Sequence, residues 1–266
     1  MFDLAALEAE LAGTVFAGKL HFVRSTGSTN SDAITAARGD TQHVGAPHGS
    51  VYFADEQLAG RGRGDHGWIS VAGEGLYVSV LLRPQISASR IALLPLAAGL
   101  AAAEAICSAA GLTADLRWPN DLLIGPRKTG GILVEANLES KNQPYAVVGI
   151  GINVQQHTFP SSLATPATSL DLEAGRAISR QTLLVALLKS LEREASALAD
   201  ATAAREIPAR VEQASTWIRG RNVQVHGPQS CTGVTAGLDE NGFLRVATAS
   251  GLVTVQTGGL RAAEKD

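Results

Sequence analysis

The segment from residue 60 to residue 68 has the composition of a loop that binds an anion. It reads GRGRGDHGW and follows Gln57 and a predicted strand at residues 50–54. Glycines leave backbone N–H groups open to a ligand, and the guanidinium groups of Arg61 and Arg63 match the oxygens of a phosphate or a carboxylate. Taken alone, the same residues also fit an exposed turn whose arginines are solvated.

Two common nucleotide-binding motifs do not explain this segment. Gly62, Gly64 and Gly67 have the spacing G-x-G-x-x-G, but in dinucleotide-binding folds these glycines open a helix. Here WISV and a second glycine-rich turn follow instead. A P-loop is excluded as well, because its lysine follows a glycine and Lys128 does not.

Three later segments could complete an anion site. RWPND at 117–121 places two polar side chains after a rigid proline, and KTGGILVE at 128–135 places a lysine before two glycines and a buried strand. VGIGIN at 148–153 has alternate glycines in an apolar strand, which allows a flat ligand or another backbone to approach closely. Individually, these segments also fit an ordinary turn, a surface lysine and tight packing.

The order of these segments resembles that of the biotin protein ligases. The matching parts are STN at 28–30, Gln57 with GRGR at 60–63 and Trp68, WPND at 118–121, Lys128 with the strand to Glu135, and G-x-G-x-N at 149–153. The resemblance covers nearly the whole chain. It implies an α+β fold: a class II synthetase-like catalytic domain, with a mixed sheet flanked by helices, and a small C-terminal SH3-like β-barrel.

The resemblance also implies a reaction. In the family, biotin and ATP give biotinyl-5'-AMP and pyrophosphate, and the biotinyl group then passes to one lysine of a biotin carboxyl carrier protein of acetyl-CoA carboxylase or a similar carboxylase. Biotin, ATP and Mg²⁺ are therefore expected, with Mg²⁺ carried by ATP and no metal held by the protein scaffold. A homodimer is compatible with the resemblance.

Roles for individual residues follow from the same resemblance. The catalytic residues would be Lys128, Arg61, Arg63 and Asp121. Biotin would contact Ser28, Thr29, Asn30, Gln57, Arg61, Gly62, Arg63, Lys128 and Gly131. ATP and the adenylate would contact Arg61, Arg63, Trp68, Asn120, Lys128 and Asn153. Trp68 and Trp118 would form apolar walls, and residues 155–169 a flap over the adenine.

These roles agree with the physical demands of the reaction. A carboxylate and a triphosphate repel each other, so fixed cations such as Arg61, Arg63 and Lys128 are needed to bring them together and to stabilise the charge at the α-phosphorus. Glycine-rich loops would shield the reactive anhydride from water. Asp121 is a candidate to position the incoming lysine amine or to accept its proton.

Two positions depart from the common family pattern. Many members carry a third arginine where this chain has His66, so the loop has one permanent cation fewer. Many also carry lysine in place of Arg117, a change that keeps the charge. Only 27 residues precede Ser28, too few for the DNA-binding domain of some members, and we therefore expect no DNA binding.

Hydrophobic patterns predict the elements that position these residues. Helices are expected at 4–11, from 28–31 to 38, from 95 to 110, and from 180 to 203, where leucines line one face. Strands are expected at 20–25, 50–54, 75–82, 133–138 and 145–152. Four further β-rich runs between residues 222 and 257, separated by turn residues, predict a small barrel-like module. The predicted domains are 1–218 and 219–266.

Composition limits the alternatives. The chain of 266 residues has 22 basic and 25 acidic residues, a net charge of −3, which gives no sign of a nucleic-acid surface. Its longest uncharged apolar run, residues 91–103, is short of the ~20 residues of a membrane span. An acidic N terminus without a signal-peptide pattern and two widely separated cysteines predict a cytoplasmic protein without a disulfide or zinc site.

Three other functions remain as alternatives to a biotin ligase. A lipoate- or octanoyl-transferring enzyme of related fold would need a pocket for a different acyl chain, and the paired arginines favour biotin. A non-catalytic adenylate-binding sensor would not need Asp121. RNA binding through Arg61 and Arg63 is disfavoured, because interleaved aromatic residues and net positive charge are absent.

Overall fold

Two β-sheets organise the residues described by this computed structural model, which are 2–39, 45–64, 66–83, 87–139 and 144–263. The first seven strands are β1 (Leu20–Thr26), β2 (Ser50–Gln57), β3 (Gly75–Leu82), β4 (Asp115–Arg117), β5 (Asp121–Ile124), β6 (Arg127–Asn137) and β7 (Tyr145–Asn153). They form one sheet in the order β1-β2-β3-β7-β6-β5-β4. β1 and β2 are parallel and the other neighbours antiparallel, so the predicted mixed sheet is confirmed.

Helices cover both faces of this sheet. They are α1 (Leu4–Glu10), α2 (Thr29–Arg38), α3 (Ala88–Ile91), α4 (Leu94–Ala110), α5 (Leu170–Ala174), α6 (Arg180–Ala197) and α7 (Ala201–Gln213). Alternate residues of β3 join the main core with α4 and α6, whereas Leu81 packs beneath α2. All eight residues of β3 are therefore buried, as expected of a strand covered on both faces.

The long helix α4 confirms the sequence prediction almost to the residue. Pro95 lies in its first turn, where a missing N–H costs no helical hydrogen bond. The helix ends at Ala110 and is capped by Gly111, whose φ of 72° is the left-handed conformation that glycine adopts without strain. Its buried face is rich in alanine, which allows α6 to pack closely against it.

The predicted helix from 180 to 203 is wrong in its C-terminal part. α6 ends at Ala197, and a separate helix, α7, begins at Ala201. Asp200 separates the two, because its carboxylate accepts hydrogen bonds from Thr202 N at 2.7 Å and Ala203 N at 2.9 Å and so caps α7. The short strands β4 and β5 were also missed; with three or four residues each, they depend on sheet pairing more than on a pattern of their own.

The C-terminal residues form a second, antiparallel sheet of five strands. These are β8 (Arg219–His226), β9 (Cys231–Leu238), β10 (Leu244–Thr248), β11 (Gly251–Val255) and β12 (Gly259–Ala262), in the order β11-β10-β9-β8-β12. β12 was not predicted. Buried residues of this sheet, such as Leu244 and Val246, belong to the same hydrophobic cluster as the core beneath the large sheet. The domain boundary at residue 218 stays a prediction, although β8 begins at Arg219.

None of the described helices combines the length and the apolar character that crossing a membrane requires.

Candidate active site

One cavity of about 600 Å³ collects the predicted catalytic residues and the residues predicted to contact biotin and ATP. Its lining includes Ser28, Thr29, Asn30, Gln57, Arg61, Gly62, Arg63, Trp68, Asn120, Asp121, Lys128, Gly131 and Asn153. Residues of the small sheet, among them Thr257 and Arg261, close another side. The cavity is therefore shared by both parts of the chain.

The register of the large sheet explains why these residues meet. Ser79 of β3 lies opposite Gly149 of β7, which in turn lies opposite Leu133 of β6. Successive side chains of a strand point to opposite faces, so the residues two positions away share this face, and they include Gly131 and Gly151. Three glycines thus lie on the face that α2 covers, and they leave the space that the cavity fills.

A buried polar network forms one end of the cavity. At the N terminus of α2, Thr29 donates its backbone N–H to Gln57 Oε1 at 2.9 Å, and its hydroxyl lies 2.8 Å from that of Ser79. Ser79 donates to Asn30 Oδ1 at 2.6 Å, and Gln57 donates its amide to Ser70 Oγ at 2.8 Å. Because each group holds its neighbour, the network presents donors and acceptors in fixed orientations.

Two glycines of β7 are required by side chains of the protein itself. A Cβ at Gly149 would lie 2.1 Å from Asn30 Oδ1, and a Cβ at Gly151 would lie 2.7 Å from Trp68 Nε1. The sequence predicted a close approach at this strand, and the approaching groups are an asparagine and an indole that line the cavity. These glycines therefore position Asn30 and Trp68 against the sheet.

The loop at residues 60–68, described except for residue 65, folds back on itself. Gly62 N donates to His66 O at 2.8 Å, and Trp68 N donates to Gly60 O at 2.8 Å. A Cβ at Gly60 would lie 2.4 Å from Trp68 O, so this closure requires glycine. The exposed His66 lies beside Arg63 O, with its Nδ1 3.0 Å away.

Three cations of the cavity, Arg61, Lys128 and Arg63, are bound by groups of the protein. Arg61 forms an ion pair with Glu135 at 2.6 Å, and Lys128 Nζ lies 2.5 Å from Asp121 Oδ1. Arg63 crosses to the small sheet, where it donates to Gly258 O at 2.8 Å and to Thr257 Oγ1 at 3.0 Å. Burial lowers the pKa of Arg63, against an opposing effect of the nearby Asp121 carboxylate.

Asp121 lies between two cations. Lys128 pairs with one carboxylate oxygen, and Arg117 NH2 donates to the other at 2.6 Å. Burial raises the pKa of this carboxyl, but the charges and hydrogen bonds of Lys128 and Arg117 outweigh burial and hold the pKa below its usual value. Asp121 is therefore a carboxylate at neutral pH, able to accept a proton or to position a cation.

The segment 155–169 lies against the residues predicted to contact the adenylate. Lys128 N donates to Pro166 O at 2.8 Å, and Asn153 Nδ2 donates to Thr168 O at 3.0 Å. Phe159 and Leu163 line the cavity from this segment. The segment thus borders the cavity, and its role as a mobile flap over the adenine stays a prediction.

Several buried polar atoms of the lining have no partner within the described chain. They are Trp68 Nε1, Gln156 Oε1 and His226 Nε2. Buried polar groups are normally hydrogen-bonded, so unpaired ones that line a cavity are available to a ligand.

Trp118 corrects one sequence expectation. It does not line the cavity but is buried in the core, where its indole N–H donates to Gly242 O at 3.0 Å. Other lining residues were missed: Ser79 of β3, and His226, Thr257 and Arg261 of the C-terminal part. Ser79 could have been found as a polar residue in the apolar run of β3, whereas the residues of the small sheet carry no local signal.

Comparison with known proteins places the chain in a family. Residues 22–153 match the model of the Biotin/lipoate A/B protein ligase family. The biotin–acetyl-CoA-carboxylase ligase of Mycobacterium tuberculosis is 32% identical over 246 residues, which are 90% of this chain and 87% of that protein. The chain belongs to the biotin protein ligase family. The family predicted from the order of the motifs is thereby confirmed.

Other biotin protein ligases extend the comparison. The Aquifex aeolicus biotin protein ligase in complex with biotin and ATP has a TM-score of 0.79 and 29% identity, over 92% of this chain and 100% of that one. The bifunctional ligase/repressor BirA of Bacillus subtilis is 41% identical over 150 residues, 56% of this chain. This match spans 46%, about half, of the length of the Bacillus protein. The similarity to the Aquifex structure supports the fold that the sequence predicted for this chain.

Proposed function

We propose that this biotin protein ligase joins biotin and ATP to form biotinyl-5'-AMP and pyrophosphate, and then transfers the biotinyl group to a lysine of a biotin carboxyl carrier protein. The carrier is a subunit of acetyl-CoA carboxylase or of a similar carboxylase. One observation carries the proposal: a single cavity joins a buried polar network at α2 to the three cations Arg61, Arg63 and Lys128. The Aquifex relative, whose complex contains biotin and ATP, supports it.

The polar network suits the head group of biotin. A cyclic urea has one carbonyl acceptor and two N–H donors, and Thr29, Asn30 and Ser79 offer hydroxyl and amide groups of both kinds. The apolar chain of biotin then lies along the sheet, beside Trp68 and the glycines of β7. This arrangement directs the biotin carboxylate towards Lys128.

In the first step a carboxylate oxygen of biotin forms a bond to the α-phosphorus of ATP. The bond from that phosphorus to the oxygen of the β-phosphate breaks, and pyrophosphate leaves. Arg61, Arg63 and Lys128 are held by Glu135, Gly258 O and Asp121, so the substrates must take over these cations from acceptors of the protein. Such preplaced cations stabilise the charge that develops during the reaction.

Mg²⁺ fits this site as a companion of the triphosphate. Within the described part of the chain, no group of three or more His, Cys, Asp or Glu residues could hold a metal ion. The carboxylates at the site, Asp121 and Glu135, are engaged by Lys128 and Arg61. Mg²⁺ bound with ATP would take phosphate oxygens as its main ligands and would neutralise charge on the leaving pyrophosphate.

In the second step the lysine amine of the carrier attacks the biotinyl carbonyl carbon. The carbon–nitrogen bond forms, the bond from that carbon to the AMP oxygen breaks, and AMP leaves with the phosphate negatively charged. The attacking nitrogen must lose a proton, and Asp121 is the carboxylate among the described lining residues that can accept it.

The test is incubation with ATP, MgCl₂ and labelled biotin, with and without a purified biotin carrier domain. We expect pyrophosphate release on adding biotin and label on the carrier lysine. Tight binding of biotinyl-AMP without pyrophosphate release would instead support the non-catalytic sensor. Labelled octanoate and lipoate in parallel reactions test the acyl-transferring alternative. This alternative is included because the matching family model covers both biotin and lipoate ligases.

A cytoplasmic location, a homodimer and the lack of DNA binding stay predictions. Size-exclusion chromatography with light scattering, with and without biotin and ATP, measures the oligomeric state.

A further inference from the structure

Arg117 connects three parts of the site. It is buried, with 8% of its surface exposed. Its Nε and NH2 atoms donate to Asp121 Oδ2 at 3.1 and 2.6 Å, and NH2 also donates to Thr165 Oγ1 at 3.0 Å, in the segment 155–169. Lys128 occupies the other oxygen of Asp121. The carboxylate therefore has one oxygen on each cation.

An aromatic stack holds the guanidinium of Arg117 from the other side. Its Cζ lies 5.2 Å from the ring centroid of Trp217, and the Cζ of Arg221 lies 3.8 Å from the same ring. Both distances are within the range of cation–π contacts. Trp217 is itself buried, so this ring is a fixed support and not a surface contact.

The segment that carries Trp217 is fastened to β4, the strand that carries Arg117. Asp115 accepts hydrogen bonds from Thr216 N at 2.9 Å and Thr216 Oγ1 at 2.6 Å. Leu116 N donates to Ala214 O at 3.3 Å. Three consecutive residues of β4 thus contact the segment between α7 and the small sheet. Of these three, Arg117 also lines the cavity.

We infer that Arg117 is a positioning residue for Asp121 in the transfer step, and that Trp217 and Arg221 hold it in place. The inference rests on the proposed function. Arg117 holds Oδ2 of Asp121. The other oxygen, Oδ1, therefore gives up its contact with Lys128 and binds the incoming amine. When the amine attacks, its proton passes to Oδ1, the carbon–nitrogen bond forms, and AMP leaves. A lysine at position 117 would keep the charge but lose the two-donor contact and the planar stacking.

The ionisation of Asp121 supplies a readout specific to this role. The charged groups that face it are Arg117 of β4, Lys128 of β6 and, from the glycine-rich loop, Arg63. Lys128 and Arg117 lower the pKa of Asp121 against the effect of burial. Loss of Arg117 removes one of these cations, so the carboxylate protonates at higher pH, and the acidic limb of the transfer rate moves to higher pH.

The experiment measures single-turnover transfer from preformed biotinyl-AMP to a carrier domain, for the full chain, from about pH 9 down to about pH 4, near the usual pKa of an aspartate. We expect Arg117→Lys to lower the transfer rate about ten- to hundredfold, the effect of one hydrogen bond to a charged group. Biotin-dependent ATP–pyrophosphate exchange should fall less. Arg117→Gln should show the same loss together with the shifted acidic limb. Transfer by both variants at the wild-type rate and with the wild-type pH profile would overturn the inference.

A second pair of variants tests the stack without changing Arg117. Trp217→Leu removes the ring and should slow transfer, whereas Trp217→Phe keeps a ring face and should restore most of the rate. Arg245→Lys, on the exposed side of β10, is the matched control and should leave both steps unchanged. If Trp217→Leu transfers as fast as wild type, the support by the stack is wrong.

Thermal unfolding midpoints separate these effects from loss of folding. If Trp217→Leu does not fold, the transfer rates of Trp217→Phe and Arg117→Lys are compared at the same temperature instead. Each of these substitutions keeps a buried side chain of similar size. Failure of the wild-type protein to transfer biotin at all would instead contradict the proposed function.

Discussion

At the scale of single residues, the site is a set of charges that are already paired. Arg61 and Lys128 bind Glu135 and Asp121, so substrate binding exchanges one charge-assisted contact for another. Such an exchange is less costly than stripping a cation of water, because the surrounding protein already holds the side chain in place. These contacts keep Arg61 and Lys128 at the cavity, where the proposed reaction needs them.

Lys128 is the residue whose loss should affect the first step most. We expect Lys128→Ala to lower biotin-dependent ATP–pyrophosphate exchange by about 10²–10³-fold, because the cation nearest to the reacting carboxylate is gone. The fold should persist, since Asp121 keeps its contact with Arg117. Lys189→Ala, on the exposed face of α6, is the control. Unchanged exchange in Lys128→Ala would show that this lysine has another role.

Gly149 should not tolerate a side chain. A Cβ there would lie 2.1 Å from Asn30 Oδ1, so Gly149→Ala must displace Asn30 or bend β7. We expect a loss of about 1–3 kcal/mol in the free energy of unfolding and weaker biotin binding in calorimetry. Gly27→Ala is the control, because a Cβ at Gly27 meets no atom within 4 Å. Wild-type affinity in Gly149→Ala would contradict the tight contact with Asn30.

At the scale of elements, the helices α6 and α7 are held together by one ion pair. Glu194 on α6 is 1% exposed, and both of its oxygens accept hydrogen bonds from Arg210 on α7, at 2.7 and 2.8 Å. A bidentate contact of this kind fixes the angle between two helices as well as their distance.

Removing Arg210 should therefore be costly. Arg210→Ala leaves a buried carboxylate with only a distant contact to Arg193, at 3.9 Å. We expect a loss of about 3 kcal/mol in chemical denaturation, near the lower limit for breaking a buried pair, because Arg210 itself is partly exposed. Arg205→Ala on the exposed face of α7 should change stability by less than about 0.5 kcal/mol. An equal effect of both substitutions would show that the pair contributes nothing.

At the scale of the whole molecule, the two sheets share a core and a cavity. Trp118 of the large part donates to Gly242 of the small sheet, and Arg63 donates to Gly258. A Cβ at Gly242 would lie 2.5 Å from a methyl group of Leu96 on α4, so the turn before β10 packs directly on that helix. Contacts of this extent join the predicted domains into one structural unit.

We therefore expect the chain to unfold in a single transition. Circular dichroism and the fluorescence of Trp118 and Trp217 should report the same midpoint in urea. Trp118→Phe keeps the ring but leaves Gly242 O without its donor, which should cost about 1–3 kcal/mol while the transition stays single. Two separated transitions in the wild-type protein would show that the sheets fold independently.

The sequence alone was enough to predict the family, the catalytic and ligand-contacting residues that line the cavity, and the elements β3 and α4. Short motifs such as STN at 28–30 and Lys128 with its following glycines can be recognised from neighbouring residues alone. The apolar patterns of β3 and α4 are strong because these elements are buried along their length. A residue with a fixed local role leaves a local signal.

Which groups hold those residues depends on how the folded chain packs. The contact of Arg63 with Gly258 joins residues 195 positions apart, and that of Trp118 with Gly242 joins residues 124 apart. The strands β4 and β12 are short and depend on pairing with their neighbours, so no hydrophobic pattern in the sequence predicted them. Contacts of this kind arise when the chain packs, because burial and hydrogen-bond geometry choose the partner among residues that are distant in sequence.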